Sequence, residues 1–154
     1  MLNSPKEDMR GILIGLALVL IALPAWAQGR QDNWRLCADK NPDLSIGGCT
    51  AVIQSTGQET DAGFAAAYFK RGDAYYSKGL YDQAIADETQ AISLKPDLTG
   101  AYSHRGLAYE QKGLPDKAVT DYRMALKLAA GHPTRDVFVA DLAKKGLQRL
   151  GATP

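Results

Sequence analysis

The chain has 154 residues, 45% hydrophobic and 23% charged, which is the composition of one modest globular domain and excludes a disordered or wholly membrane-embedded chain. Eighteen basic and 17 acidic side chains leave a formal net charge of +1, so no strong field points to nucleic acid or to an anionic surface.

Lys6 and Arg10 precede an apolar run over residues 11–23, which ends at Pro24 and is followed by Ala25-Trp26-Ala27. A basic segment, an apolar run of about a dozen residues and an A-x-A site make the layout of a secretory signal peptide, cleaved after Ala27. The other reading is a retained anchor, but the apolar run is shorter than the roughly 20 residues a span requires. No cysteine follows the site, which argues against a lipid-modified terminus. Residues 1–27 are therefore expected to be a signal peptide. The rest is expected to be exported, periplasmic or secreted, and off the membrane after cleavage.

Residues 28–63 hold both cysteines, Cys37 and Cys49. Export delivers them to an oxidising compartment, where one pair has one connectivity. The spacing is too wide for a CxxC motif and no histidine stands nearby to complete a metal site. A structural disulfide is expected, with two free buried thiols as the other reading. Residues 33–40 and 45–54 have helical content, separated by the turn cluster Asn41-Pro42-Asp43. Residues 45–53 align with residues 84–92, so the segment reads as a degenerate helical hairpin with the cysteines facing each other. A bridge closing so short a loop contributes about 3 kcal/mol. It offsets Gly47 and Gly48, each of which weakens a helix by about 1 kcal/mol. The polar residues 55–61 read as a loop into the next unit.

Residues 64–98 are repeated by residues 99–132. An offset of 34 produces fourteen identities, among them Tyr68/Tyr102, Arg71/Arg105, Gly72/Gly106, Tyr75/Tyr109, Ala84/Ala118, Asp87/Asp121 and Ala91/Ala125. A fixed period of this size signals stacked supersecondary units. Within residues 65–78, Tyr68, Gly72, Tyr75 and Tyr76 recur at helical spacing. Gly79 after Lys78, and Gly113 after Lys112, stand where a left-handed glycine ends a helix. Asp82 and Asp116 open the second helices, where a carboxylate complements the dipole. Ala84, Ile85, Glu88, Ala91 and Ile92 then run at helical spacing until Pro96 ends the element. Each unit is a helical hairpin, and the fold is expected to be an all-α stack of antiparallel hairpins. Arg71 and Arg105 lie 16 residues before Asp87 and Asp121, which fits an ion pair across each hairpin. The alternative is an anion-binding arginine row.

The period, with Tyr68, Gly72, Tyr75, Ala84, Ala91 and Pro96 in one unit and Tyr102, Gly106, Tyr109, Ala118, Tyr122 and Ala125 in the next, resembles the tetratricopeptide repeat. Two positions depart from that pattern: Glu88 stands where the family favours an aromatic, and Ala130 replaces the proline. The resemblance implies an α-solenoid whose first helices line a concave groove for an extended peptide or a partner's helix. On this chain the groove positions are Phe69, Asp73, Tyr76 and Ser77, then Ser103, His104, Leu107, Glu110 and Gln111. Phe69 and Asp73 occupy the sites of the family's lysine and asparagine clamp for a terminal carboxylate, so that mode is disfavoured. Phe69, Tyr76 and Leu107 suggest apolar anchors with a polar rim.

In residues 133–154, Thr134 is positioned to cap a helix, and Phe138, Val139, Leu142, Ala143, Gly146, Leu147 and Leu150 form an apolar face. That helix is expected to cap the open end of the last repeat. A membrane surface or a partner is the other reading of the same face. His104 and His132 belong to no metal or nucleophile motif, and no glycine-rich phosphate loop is present. The expectation is a non-catalytic protein-protein interaction module without cofactor or metal, binding protein or peptide and no nucleic acid. The alternative is a structural, self-associating repeat protein.

Overall fold

A computed structural model describes residues 25–55, 59–132, 134 and 136–153. The signal-peptide assignment falls mostly on residues 1–24, outside the described residues. Among the described residues there are seven helices and no strand: α1 (Ala25–Cys37), α2 (Pro42–Gln54), α3 (Asp61–Ser77), α4 (Tyr81–Leu94), α5 (Thr99–Gln111), α6 (Pro115–Ala130) and α7 (Val137–Arg149). None is long and apolar enough to cross a membrane.

Local chemistry sets the helix ends. Asn41 caps α2 by accepting from the Asp43 amide at 2.9 Å, and Pro42 takes the first helical position, where an amide would be unpaired in any case. Pro42 and Asp43, expected in a turn, therefore open the helix instead. Thr60 caps α3 by accepting from the Gly63 amide, so that helix begins at Asp61, four residues earlier than the apolar periodicity suggests. Helices α3, α5 and α7 end alike, on Gly79, Gly113 and Gly151 at φ of 73°, 69° and 65°. The next amide bonds back to Tyr75, Tyr109 and Leu147 respectively, each at 2.9 Å. By this ending α7 resembles the first helices α3 and α5.

Helices α1/α2, α3/α4 and α5/α6 pair as hairpins. The first helices touch in sequence, α1 with α3, α3 with α5 and α5 with α7, whereas α2, α4 and α6 make no contact with one another. The first helices therefore form the inner curve of the stack.

Two features repeat along this stack. Arg71 Nε and Nη2 donate to both Asp87 oxygens at 2.7 and 2.9 Å, and Nη1 donates to Thr50 Oγ1 on α2 at 3.0 Å. Arg105 does the same to Asp121 at 2.8 and 2.9 Å and to Thr89 on α4 at 3.0 Å. Thr50 and Thr89 are matched by the alignment of residues 45–53 with 84–92, so α2 stands in the register of a second helix. The other repeated feature is a central packing position on the second helices, Cys49, Glu88 and Tyr122, each 1% exposed or less. Tyr122 is wedged between Gly106 of α5 and Gly146 of α7, where an added Cβ would come within 2.8 and 2.3 Å of its ring. Cys49 and Cys37 sulfurs lie at disulfide distance, 1.98 Å, and Gly48 lets α2 approach the α1 backbone.

At the carboxyl end Ala143, Gly146 and Leu147 are buried and Val139 and Leu150 pack on the same core, as expected of a cap. Phe138 departs from that face: it is 86% exposed, because one helical step before Val139 turns it away from the stripe. Thr134 is not the cap residue either. Asp136 occupies that position, and its Oδ2 accepts from Thr99 Oγ1 at 2.9 Å.

Two glycine substitutions should behave oppositely. Gly146→Ala drives a methyl into a ring that Gly106 blocks from the far side, and is expected to destabilise by about 3 kcal/mol. Gly47→Ala, in a helix with nothing within 4 Å of the new atom, should stabilise by about 0.5–1 kcal/mol. Urea midpoints at unchanged slope measure both.

Candidate functional site

The inner face of α3 and α5 carries the candidate groove. Phe69 lies over Gly100 at the start of α5, where an added Cβ would sit 3.1 Å from its ring, and its ring centroid is 5.0 Å from that of His104. His104 Nδ1 is 3.3 Å from Asp73 Oδ1. The hydrogen bond to His104 is the main cause that holds the Asp73 carboxyl below its usual range, against some burial and with help from the charges of His104 and Lys70. Phe69, Asp73 and His104 thus form one cluster across the two repeats.

A second cluster lies towards the helix ends. The Tyr76 and Tyr81 rings are 5.5 Å apart. Burial, then Tyr81 and Glu110, push the Tyr76 hydroxyl up, while Arg149 and a hydrogen bond with Gln111 oppose them. Tyr76, Glu110 and Gln111 are therefore neighbours. Glu110, with its side chain 16% exposed, is already engaged: Arg149 Nε and Nη2 donate to its two oxygens at 2.8 and 2.9 Å, and the Tyr122 hydroxyl donates at 2.7 Å. These bonds tie α7 to α5.

Two groove positions are not outward-facing. Ser103 shares the buried stripe of Thr99 and Gly106 at helical spacing, and its hydroxyl donates to the Gly100 carbonyl at 2.9 Å. Leu107 packs against the core around Tyr122 and Leu147, because α7 roofs that turn of α5. Ser77 remains exposed.

The face continues towards the first hairpin. A depression of about 380 Å³ is lined by Lys40, Pro42, Ser45, Phe69, Lys70 and Asp73 among others. Cys37 and Cys49 sit just beneath, with Ser45 Oγ donating to the Cys37 carbonyl at 2.9 Å. Lys40 and Lys70 are thereby part of the face although the repeat comparison passed over them. Lys40 lies outside the full repeats, and only the matching of α1 with α3 as successive first helices would have drawn attention to it.

A family model described as TPR repeat matches residues 72–113, and one described as tetratricopeptide repeat matches residues 99–132. Residues 72–132 thus match the tetratricopeptide repeat. The TPR domain of Arabidopsis OM64 superposes with a TM-score of 0.63 at 24% identity, over 80% of this chain and 92% of that one. The TPR2B domain of yeast Sti1, whose structure is titled as a complex with pHsp70, superposes with a TM-score of 0.64 at 18% identity, over 80% and 96%. At these identities the likeness is one of fold. No curated protein matches the sequence.

In both repeats the packing positions agree and the inner-face positions differ: Phe69, Asp73 and Tyr76 in the first stand against Ser103, Leu107 and Glu110 in the second. Glu110 also makes the last joint acid-sensitive. The hydrogen bond from Arg149, with that from Tyr122, holds its carboxyl below the usual range against burial. A carboxyl lowered on folding contributes stability above its unfolded value and loses it as the pH falls through its folded value. Protection of the α7 amides, relative to intrinsic exchange, is therefore expected to fall as the pH drops below the ordinary carboxylate range. Glu110→Gln should lower it at neutral pH and flatten the acid response.

Proposed function

We propose that the chain is a non-catalytic protein-protein interaction module that holds an extended peptide or a partner's helix along the inner face of α1, α3 and α5. The observation that carries this is the convergence of Phe69, Asp73 and His104 from two repeats beside an open depression. Phe69 and Tyr76 supply apolar contact, while Lys40, Lys70 and Asp73 supply a rim of both signs. Gln111 completes the far end beside Tyr76. The complex with pHsp70 reported for the yeast neighbour supports a peptide ligand for this fold. Here Phe69 and Asp73 stand at the clamp positions, so the ligand is held through its side chains rather than by a terminal carboxylate. A photo-crosslinking residue in place of Tyr76 or Lys70 in the full chain should trap a protein partner in the native cell. The same residue in place of the exposed Gln83 on α4 should not, and equal yields from both faces would sink the groove assignment. Self-association, the second reading, would appear as a mass that grows with concentration in sedimentation.

The proposed setting is the cell envelope, after cleavage at Ala27, with Cys37 and Cys49 bonded. The sulfur separation supports the bond, and the bond in turn supports an oxidising compartment. Intact mass of the protein purified without reductant should correspond to a chain starting at Gln28 and lighter by two hydrogens. A chain retaining Met1, or two alkylatable thiols, would overturn this part of the proposal. Reduction should destabilise the protein by about 3 kcal/mol.

A further inference from the structure

Glu88 occupies the packing position that Tyr122 fills one repeat later. Its side chain is 1% exposed and presses on Gly72, with Oε1 at 2.8 Å from where a Cβ would stand, and neither oxygen has a protein hydrogen-bond partner. An ionised carboxylate so deeply buried without a counter-ion in contact costs several kcal/mol, whereas the protonated form removes the charge. Four groups face it. Asp73 on α3, Asp87 on its own helix and Asp121 on α6 disfavour its charge, and Arg105 on α5 favours it. Arg105 is already committed to Asp121, as Arg71 is to Asp87 and His104 to Asp73. Burial is the first cause, and the net effect is a carboxyl pushed well above its usual range.

The joint around Glu88 is also weakly tied. The bidentate pairs of Arg71 with Asp87 and of Arg105 with Asp121 lie within hairpins and do not cross it. Across the joint run the Arg105 bond to Thr89, the exposed pair of Lys112 with Asp82, the contacts of His104 with Asp73 and Phe69, the Phe69 ring over Gly100 and the bond of Tyr76 with Gln111. The next joint, by contrast, has Tyr122 filling its centre and the Arg149–Glu110 pair across it.

We propose that Glu88 makes the boundary between the two repeats a proton-dependent hinge, closed while the carboxyl carries its proton and loosened when it loses it. The sign follows from linkage: a carboxyl raised on folding contributes stability that is complete below its unfolded value, and that is lost as the pH rises through its folded value. Because Phe69 and Asp73 lie on one side of the boundary and His104 on the other, opening separates the two halves of the inner face.

The test uses the full chain. An infrared band of a protonated carboxylic acid should persist above the pH at which ordinary carboxyls have ionised, and be absent in Glu88→Gln. The wild-type melting temperature should fall by about 5 °C or more between about pH 5 and about pH 8, with the Gln variant changing by less than about 2 °C. Amide exchange over the same range should quicken in α3 and α5 more than in α2 and α6. Should the Gln variant not fold, the wild-type band and exchange decide by themselves. A wild-type spectrum without the acid band, parallel melting profiles, or exchange that quickens equally in all helices would overturn the hinge.

Discussion

Two of the three hairpins in this stack, α3/α4 and α5/α6, are each closed by one guanidinium that reaches two other helices at once. Arg71 and Arg105 sit on first helices, hold both oxygens of a nearly buried aspartate on their own second helix, and touch a threonine on the preceding one. A bidentate pair fixes both distance and rotation, which a hydrophobic contact does not. The flanking rings of Tyr68 and Tyr75, and of Tyr102 and Tyr109, lie 5.5 to 6.0 Å from the two guanidiniums and shield them from water. Removing one partner would strand a desolvated charge, so the latch is more costly to break than its net worth suggests. Counting back eight residues from the terminal glycine reaches Arg71 in α3 and Arg105 in α5 but Ala143 in α7. Helix α7, without an arginine at that position, is tied inward through Arg149 and Glu110.

The three side chains at the central packing position solve one problem in different ways. Two helices can approach only as far as the group between them allows. Tyr122 fills that space with a ring between two glycines, and Cys49 fills it with a sulfur that meets Cys37. Glu88 fills it with a carboxyl that is the right length and the wrong polarity. The same position thus carries three different chemistries along the stack: a sulfur, a carboxyl and an aromatic ring.

Much of this was legible in the chain. The period of 34, the terminal glycines and the matched Arg–Asp spacing carry direct geometric meaning, and the all-α hairpin stack follows from them. The alignment of residues 45–53 with 84–92 anticipated the equivalence of Thr50 and Thr89, because helical register survives when most side chains change. What escaped was set by tertiary position. Ser103 and Leu107 look outward when α5 is drawn alone, and only the placement of α4 and α7 buries them. Phe138 looks like part of an apolar stripe until the exact rotation of α7 is fixed by Gly146 against Tyr122. Lys40 has no counterpart in the repeat, so no comparison between the repeats could single it out.

The division of labour between the two sides of the stack bears on what the inner face can do. The latches and the exposed Lys78–Asp43 and Lys112–Asp82 pairs recur unit by unit, so they set a common geometry. The inner face does not recur, and most of its polar groups are already paired. Asp73 is held by His104, and Glu110 by Arg149 and Tyr122. A ligand that competed for Glu110 would loosen α7, whereas one that lay on Phe69 and Lys70 would leave the scaffold intact. For the proposed ligand, the stretch from Phe69 towards Lys40, beside the hairpin that holds Cys37 and Cys49, would be the part of the face that binds without unfolding its own support. On the proposed reading the first hairpin would supply the binding wall, and the joint at Glu88 would set whether His104 stands opposite it.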